Sequence, residues 1–155
     1  MTNEELERTY FWLSFPRKTN WRYTKTTITN RKLRPGEVVQ ILDLREDGWL
    51  AYGVGLSDCP LLSWRVKLYS PQGQLLDLYG SPQLAYEFGA TQAHSGCGFW
   101  LARYDTTEKR FVMFATPSWP GLAFSQRLEF ILKNESSEEA TMLSLEIVRI
   151  TLLEA

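Results

Sequence analysis

The chain is poor in the side chains that do most protein chemistry. Its 155 residues include one histidine, His94, and two cysteines, Cys59 and Cys97. A zinc site needs several such ligands at short spacings, and neither C-x-x-C nor H-E-x-x-H occurs. His94, Ser95 and Asp105 are the residue types of a catalytic triad. Such a trio carries weight only with all three groups in hydrogen-bond register, so His94 is read as an exposed loop histidine. No Walker loop or dinucleotide fingerprint is present: the glycines at 53, 55, 96 and 98 lack the following helix that those motifs require. The carboxylate pairs Glu46-Asp47 and Glu138-Glu139 fall in predicted turns, where solvated charge is expected. No catalytic residue, metal site or cofactor is expected.

Long apolar runs are also missing. None approaches the ~20 residues of a membrane-spanning helix, so no membrane partner is expected. The start, Met1-Thr-Asn-Glu-Glu-Leu-Glu, is acidic where a signal peptide is basic and then apolar. Thr2 and the ending Leu153-Glu154-Ala155 give no lipidation signal. A reducing compartment follows as the expectation, which favours two reduced thiols over a Cys59–Cys97 bridge. Asn134-Glu135-Ser136 fits a glycosylation sequon and is read as a turn.

What the chain has in quantity is aromatic and β-forming residues. Aromatics make up 14%, with six Trp, seven Tyr and eight Phe, and suit both strands and contact surfaces. From Trp21 onward the pattern is β. Trp21–Thr29 is a leading strand, and Pro35-Gly36 suits a turn. Four hairpins are then expected in series. They pair 37–44 with 49–56 across Arg45-Glu-Asp-Gly48, and 61–69 with 74–79 across Ser70-Pro-Gln-Gly73. They also pair 99–104 with 110–116 across 105–109, and 126–133 with 141–152 across 134–139. In 49–56 one face is large (Leu50, Tyr52, Val54, Leu56) and the other mostly small (Trp49, Ala51, Gly53, Gly55). That suits close approach by another element on the glycine side. Ser81-Pro82 predicts an N-cap and first turn of a short helix over 82–88, ending at Gly89. The small-residue loop 89–98 follows it.

The expected fold is all-β: an antiparallel two-sheet sandwich, jelly-roll-like, of eight to nine strands with one short helix. Residues 1–20 read as an N-terminal arm and 21–155 as a single sandwich domain. In the arm Leu6, Tyr10 and Leu13 fall at i, i+4 and i+7, one face of a short helix. They make the arm either a loosely held terminus or a segment that docks on a neighbouring subunit.

Charge is unevenly placed. Residues 1–36 carry eight basic and three acidic groups, +5, leaving −6 on the remainder and −1 overall. The basic segment is Arg17, Lys18, Arg22, Lys25, Arg31, Lys32 and Arg34, interleaved with Trp21 and Tyr23. Three readings stand: charge on the wet face of an edge strand, pairing with the acidic body of a neighbouring copy, or contact with nucleic-acid phosphates. An overall charge near zero argues against a dedicated nucleic-acid binder. Trp100, beside the glycine loop, and Trp119, in Pro117-Ser-Trp-Pro-Gly121, are candidate partner-contact or sugar-stacking aromatics.

The stretch Leu33–Leu152 resembles small β-sandwich structural proteins of tailed or icosahedral bacterial viruses. The likeness lies in the order of Leu33-Arg-Pro-Gly-Glu-Val-Val, Gly48-Trp-Leu, Arg65-Val-Lys-Leu, the Ser-Pro-Gln-Gly turn, Gly80-Ser-Pro and Leu132-Lys-Asn-Glu-Ser-Ser. It implies a virion-located, non-enzymatic capsid, decoration or minor capsid subunit. Such a subunit is assembled from the cytoplasm and acts as a homo-oligomer packed on other virion proteins. The alternative is a carbohydrate- or receptor-binding module using loop aromatics.

Overall fold

Leu62, Trp64, Val66 and Leu68 occupy alternate positions of one strand and are all buried, while Arg65 between them is exposed. Period-two burial of this kind means one face against a core and one against water. The computed structural model describes residues 21–91, 98–115 and 122–152. Ten strands and one short helix are described: β1 (Trp21–Leu33), β2 (Val38–Leu44), β3 (Gly48–Ser57), β4 (Leu62–Tyr69), β5 (Leu75–Gly80), α1 (Pro82–Glu87), β6 (Phe99–Asp105), β7 (Arg110–Ala115), β8 (Leu122–Phe124), β9 (Leu128–Asn134) and β10 (Ala140–Leu152). A six-stranded sheet runs β1-β10-β3-β7-β6, with β8 also paired to β3, and a four-stranded sheet runs β2-β9-β4-β5. All pairings are antiparallel. The two-sheet sandwich expected from the sequence is therefore present, with the three-residue β8 as an additional strand.

The wiring is nested. β1 pairs with β10, β2 with β9, β3 with β8, and β4 with β5. That is a double ribbon rolled into two sheets, the jelly-roll arrangement. Two of the four expected hairpins form, β4–β5 and β6–β7. In the first of these Gly73 (φ +78°) closes the turn, its N–H donating to the Ser70 carbonyl at 2.9 Å.

The other two expected hairpins do not form. β2 lies in the four-stranded sheet and β3 in the six-stranded one, and β9 and β10 are split in the same way. Both predicted turns are crossovers between sheets, and each is tied to a second crossover beside it. At 45–47, Asp47 Oδ1 accepts from Ser125 Oγ (2.9 Å) and the Gln126 N–H (2.8 Å), joining the β2–β3 link to the β8–β9 link. Gly48 is required for a different reason from a positive φ: a Cβ there would collide with the Ile150 carbonyl of β10.

At the opposite end Asn134 is fully buried. Its Nδ2 donates to the Leu33 carbonyl (3.0 Å) and the Glu138 carbonyl (2.7 Å), and its Oδ1 accepts from the Ser136 N–H (3.0 Å). Its own backbone exchanges bonds with Gly36 and Glu37. The β1–β2 and β9–β10 crossovers are thus clasped by one side chain.

The core lies between the sheets. Trp64 meets Phe130 (5.5 Å between centroids) and Phe99 edge-on (6.1 Å). Room for Trp64 and Phe130 comes from β3, which turns Gly53 and Gly55 toward them, and room for Phe99 comes from Gly80. A Cβ on Gly55 would collide with the Trp64 ring. The helix starts as expected: Ser81 Oγ accepts from the Leu84 N–H (3.2 Å), and Pro82 takes the first helical position. It packs against β6, where Tyr104 hydroxyl donates to Gln83 Oε1 and its ring stacks on Tyr86.

Removing the clasp takes the Asn134 donor from the buried Leu33 carbonyl and the acceptor from the Ser136 N–H, while the exposed Glu138 carbonyl keeps its bond from Ser136 Oγ (2.8 Å). Asn134→Ala is expected to lower unfolding free energy by about 3 kcal/mol in urea titrations. A loss below about 1 kcal/mol would show that the crossovers hold without it.

Candidate interaction surface

The strand parity that turns Gly53 and Gly55 inward turns Tyr52, Val54 and Leu56 outward. Val54 pairs with Phe114, Leu56 with Val112, and Phe114 with Trp100. These side chains form an apolar, half-exposed row across the outer face of the six-stranded sheet. Trp100 and Phe114 stack at 4.3 Å with planes 9° apart. Trp100 Nε1 is buried and has no hydrogen-bond partner. Toward β10, Ala51, Val148 and Ile150 form a second, buried apolar cluster against Tyr52. Toward the β1 edge the face turns polar, with Lys25, Thr27, Ser144 and Glu146.

The outer face of the four-stranded sheet is of a different kind. Arg127 Nε meets Asp43 at 3.1 Å and its Nη2 meets Glu129 at 3.2 Å. Arg65 meets Asp77 at 3.0 Å and lies over the Tyr79 ring, and Tyr79 hydroxyl bonds to Glu135. Several charges there are paired with one another, and Val38, Leu75 and Tyr79 stand exposed among them. Isolated exposed pairs contribute little stability, but a lattice of them makes a well-solvated surface.

The residues singled out from the sequence are scattered. Leu6, Tyr10, Leu13, Arg17 and Lys18 lie outside the described residues, as do His94, Cys97 and Trp119. Trp21 opens β1 opposite Leu152. Tyr23 is 60% exposed on the outer face of the six-stranded sheet, and Trp100 lies at that sheet's far side. β1 is the sheet's edge strand, and Arg22, Lys25, Arg31 and Lys32 line it. Lys25 pairs with Glu146 at 2.7 Å, and Arg31 and Arg34 both approach Glu37. Part of the basic segment is therefore neutralised within the chain. Tyr52, Val54, Leu56, Val112 and Phe114 were not singled out. The signal that reveals them is the glycine face of β3, once the Trp64 ring is known to fill it.

A cleft of about 360 Å³ opens between Asp58–Leu61, the β6–β7 turn and the β9–β10 crossover. Lys109, Glu138, Glu139 and the free Cys59 thiol line it above Phe111. Among the described residues no group of three or more His, Cys, Asp or Glu is arranged to hold a metal ion. No described helix is long and apolar enough to cross a membrane. The sequence matches no protein-family model and no curated protein.

Several carboxylates titrate below their ordinary range. Asp43 is lowered chiefly by its hydrogen bond from Arg127, Glu37 by the Arg34 N–H, and Asp105 by the Glu108 N–H. The phenols of Tyr23, Tyr79 and Tyr104 are raised, chiefly by burial. A depressed carboxylate stabilises the fold above its unfolded value of about 4, and that stability is lost as pH falls through the folded value. A raised phenol stabilises below about 10 and loses that contribution as pH rises further. Urea midpoints are therefore expected to be flat from about pH 5 to 9, falling below about 4 and above about 10. A midpoint that rises between pH 5 and 3 would contradict these assignments.

Proposed function

We propose that this protein is a non-enzymatic structural subunit of a virus particle, a capsid, decoration or minor capsid component. It works by packing the outer face of its six-stranded sheet on copies of itself and on other virion proteins. The observation that carries the reading is the contrast between the two outer faces. One carries ion pairs interspersed with the exposed Val38, Leu75 and Tyr79. The other presents Tyr52, Val54, Leu56, Val112, Phe114 and Trp100 as a continuous half-exposed row. Contiguous apolar surface rimmed by polar groups marks an interaction site, and Tyr and Trp are favoured at the centres of such sites. Fold alone does not assign function. The nested jelly-roll wiring supports the reading only in being an architecture shared with viral capsid domains. The virion location rests on the resemblance of residues 33–152.

Light scattering across a concentration series tests the contact. The chain is expected to self-associate. Phe114→Asp, which places a charge in the middle of the row, is expected to weaken association at least about tenfold. Lys67→Asp on the charged face serves as the control and leaves it unchanged. A wild-type chain monomeric at millimolar concentration would overturn the self-association reading.

A further inference from the structure

A sheet ends in strands whose outward N–H and C=O groups have no ladder partner, and such edges invite another strand. The two strand orders end in β1 and β6 and in β2 and β5. Three of these edges are blunted. β1 carries Arg22, Lys25, Arg31 and Lys32 and is broken by Asn30 in a left-handed conformation (φ +51°). β2 has an irregular register between Gln40 and Leu42, and β6 has one between Leu101 and Arg103. Irregularities of this kind terminate pairing. β6 is also covered by α1, through Tyr104 with Gln83 and Tyr86. β5 has none of these devices. Its pairing with β4 is unbroken from Trp64 opposite Gly80 to Tyr69 opposite Leu75, and Leu75-Leu-Asp-Leu-Tyr-Gly80 holds no proline, lysine or arginine. α1 packs on β6 and β7 rather than along β5, so the edge is open.

The same edge gathers exposed apolar surface. Of the eight large apolar side chains exposed among the described residues, five stand on β5, on α1 and at its C-cap. They are Leu75 and Leu76 (47% each), Tyr79 (43%), Tyr86 (57%) and Phe88 (78%). Leu76 lies opposite the buried Leu68, on the core-facing side of the sheet, yet nothing covers its outer half. At these exposures the three aromatics offer on the order of 350 Å² per copy. The leucines and the strand backbone bring the patch toward the about 800 Å² per partner of a standard interface.

The edge is complementary to itself. Its one charge, Asp77, is held by Arg65 at 3.0 Å, so two copies meet without an unpaired charge. An antiparallel pair about a two-fold axis keeps core-facing residues together only in registers that place a residue opposite its own copy. Two such registers lie at the middle of β5, centred on Asp77 or on Leu78. Like charges directly opposite are destabilising, which selects Leu78. Leu76 then lies opposite Gly80 of the second copy, where that chain turns into α1 with its exposed Tyr86 and Phe88.

We propose that β5 is a second self-association site, at which two copies join β5 to β5 antiparallel about Leu78. The two four-stranded sheets become one of eight strands, and the apolar patch of β5 and α1 is buried. A two-fold contact of this kind closes at a dimer. It lies on a different surface from the outer face of the six-stranded sheet, so either contact can fail alone. With both in place the subunit assembles beyond a dimer.

Sedimentation velocity of the Phe114→Asp chain, in which the outer face is disabled, isolates the edge. Its association is expected to stop at a dimer. Leu76→Lys, a charge at an already exposed position, is expected to weaken that dimer at least about tenfold. Cross-linking reads the register. With Cys59→Ser and Cys97→Ser, Leu78→Cys is expected to give a disulfide-linked dimer on mild oxidation, because the two copies of residue 78 face each other. Leu75→Cys is expected to give none, because its two copies lie at opposite ends of the pair. The cross-linking is done with Phe114 intact, so it holds even where Phe114→Asp loses the fold. The proposal is overturned if the folded Phe114→Asp chain is monomeric at millimolar concentration, if Leu76→Lys dimerises as its parent does, or if Leu75→Cys cross-links and Leu78→Cys does not.

Discussion

The Asn134 side chain is the interaction on which the rest of this architecture depends. A nested jelly roll brings the first strand beside the last and the second beside the ninth, so chain segments about a hundred residues apart must cross between sheets side by side. Crossovers leave backbone groups out of the strand ladders, and a buried one must be satisfied some other way. Asn134 does this with one amide, reaching Leu33 on one crossover and Glu138 on the other. Asp47 does the corresponding work at the opposite end, with Ser125 and Gln126. With both ends closed, the two sheets are held face to face and the large core residues have a defined space to fill.

That space decides what the surface looks like. Trp64 and Phe130 project from the four-stranded sheet far enough that β3 can present only Gly53 and Gly55 to them. A strand with glycine on its inner face has its larger side chains on the other. Tyr52, Val54 and Leu56 therefore face outward as a consequence of core packing, and β7 and β6 extend the row with Val112, Phe114 and Trp100. On the four-stranded sheet Trp64, Phe130 and the leucines of β4 and β9 point inward, and the outward positions carry Arg65, Asp77, Glu129 and Lys133 alongside Tyr79 and Ile131. The asymmetry between the faces and the filling of the core are one constraint seen from two sides.

Much of the fold was legible in the sequence, because strands advertise themselves locally. The alternation in 61–69, the Ser-Pro-Gln-Gly turn and the Ser81-Pro82 cap all appear where the residues place them. Partner choice was not legible. Asp47-Gly48 and Asn134–Glu139 have the composition of hairpin turns and are crossovers instead. Their polar side chains bond to segments 78 or more residues away, such as Ser125 for Asp47, and a local pattern carries no such information. The three-residue β8 is too short to show a period. The proposed contact face was half legible. Tyr23 and Trp100 stood out as aromatics, whereas Val54, Leu56 and Val112 read equally well as core. Period-two alternation separates two faces without saying which is inside.

The central claim is that the outer face of the six-stranded sheet is where this subunit meets its neighbours. Methyl NMR of Ile-, Leu- and Val-labelled protein, diluted from millimolar to low micromolar concentration, tests it most directly. The account predicts that the methyls of Val54, Leu56 and Val112 shift on dilution, while Ile131 on the charged face stays fixed. Shifts confined to Ile131 and its neighbours, with Val54, Leu56 and Val112 unmoved, would contradict it.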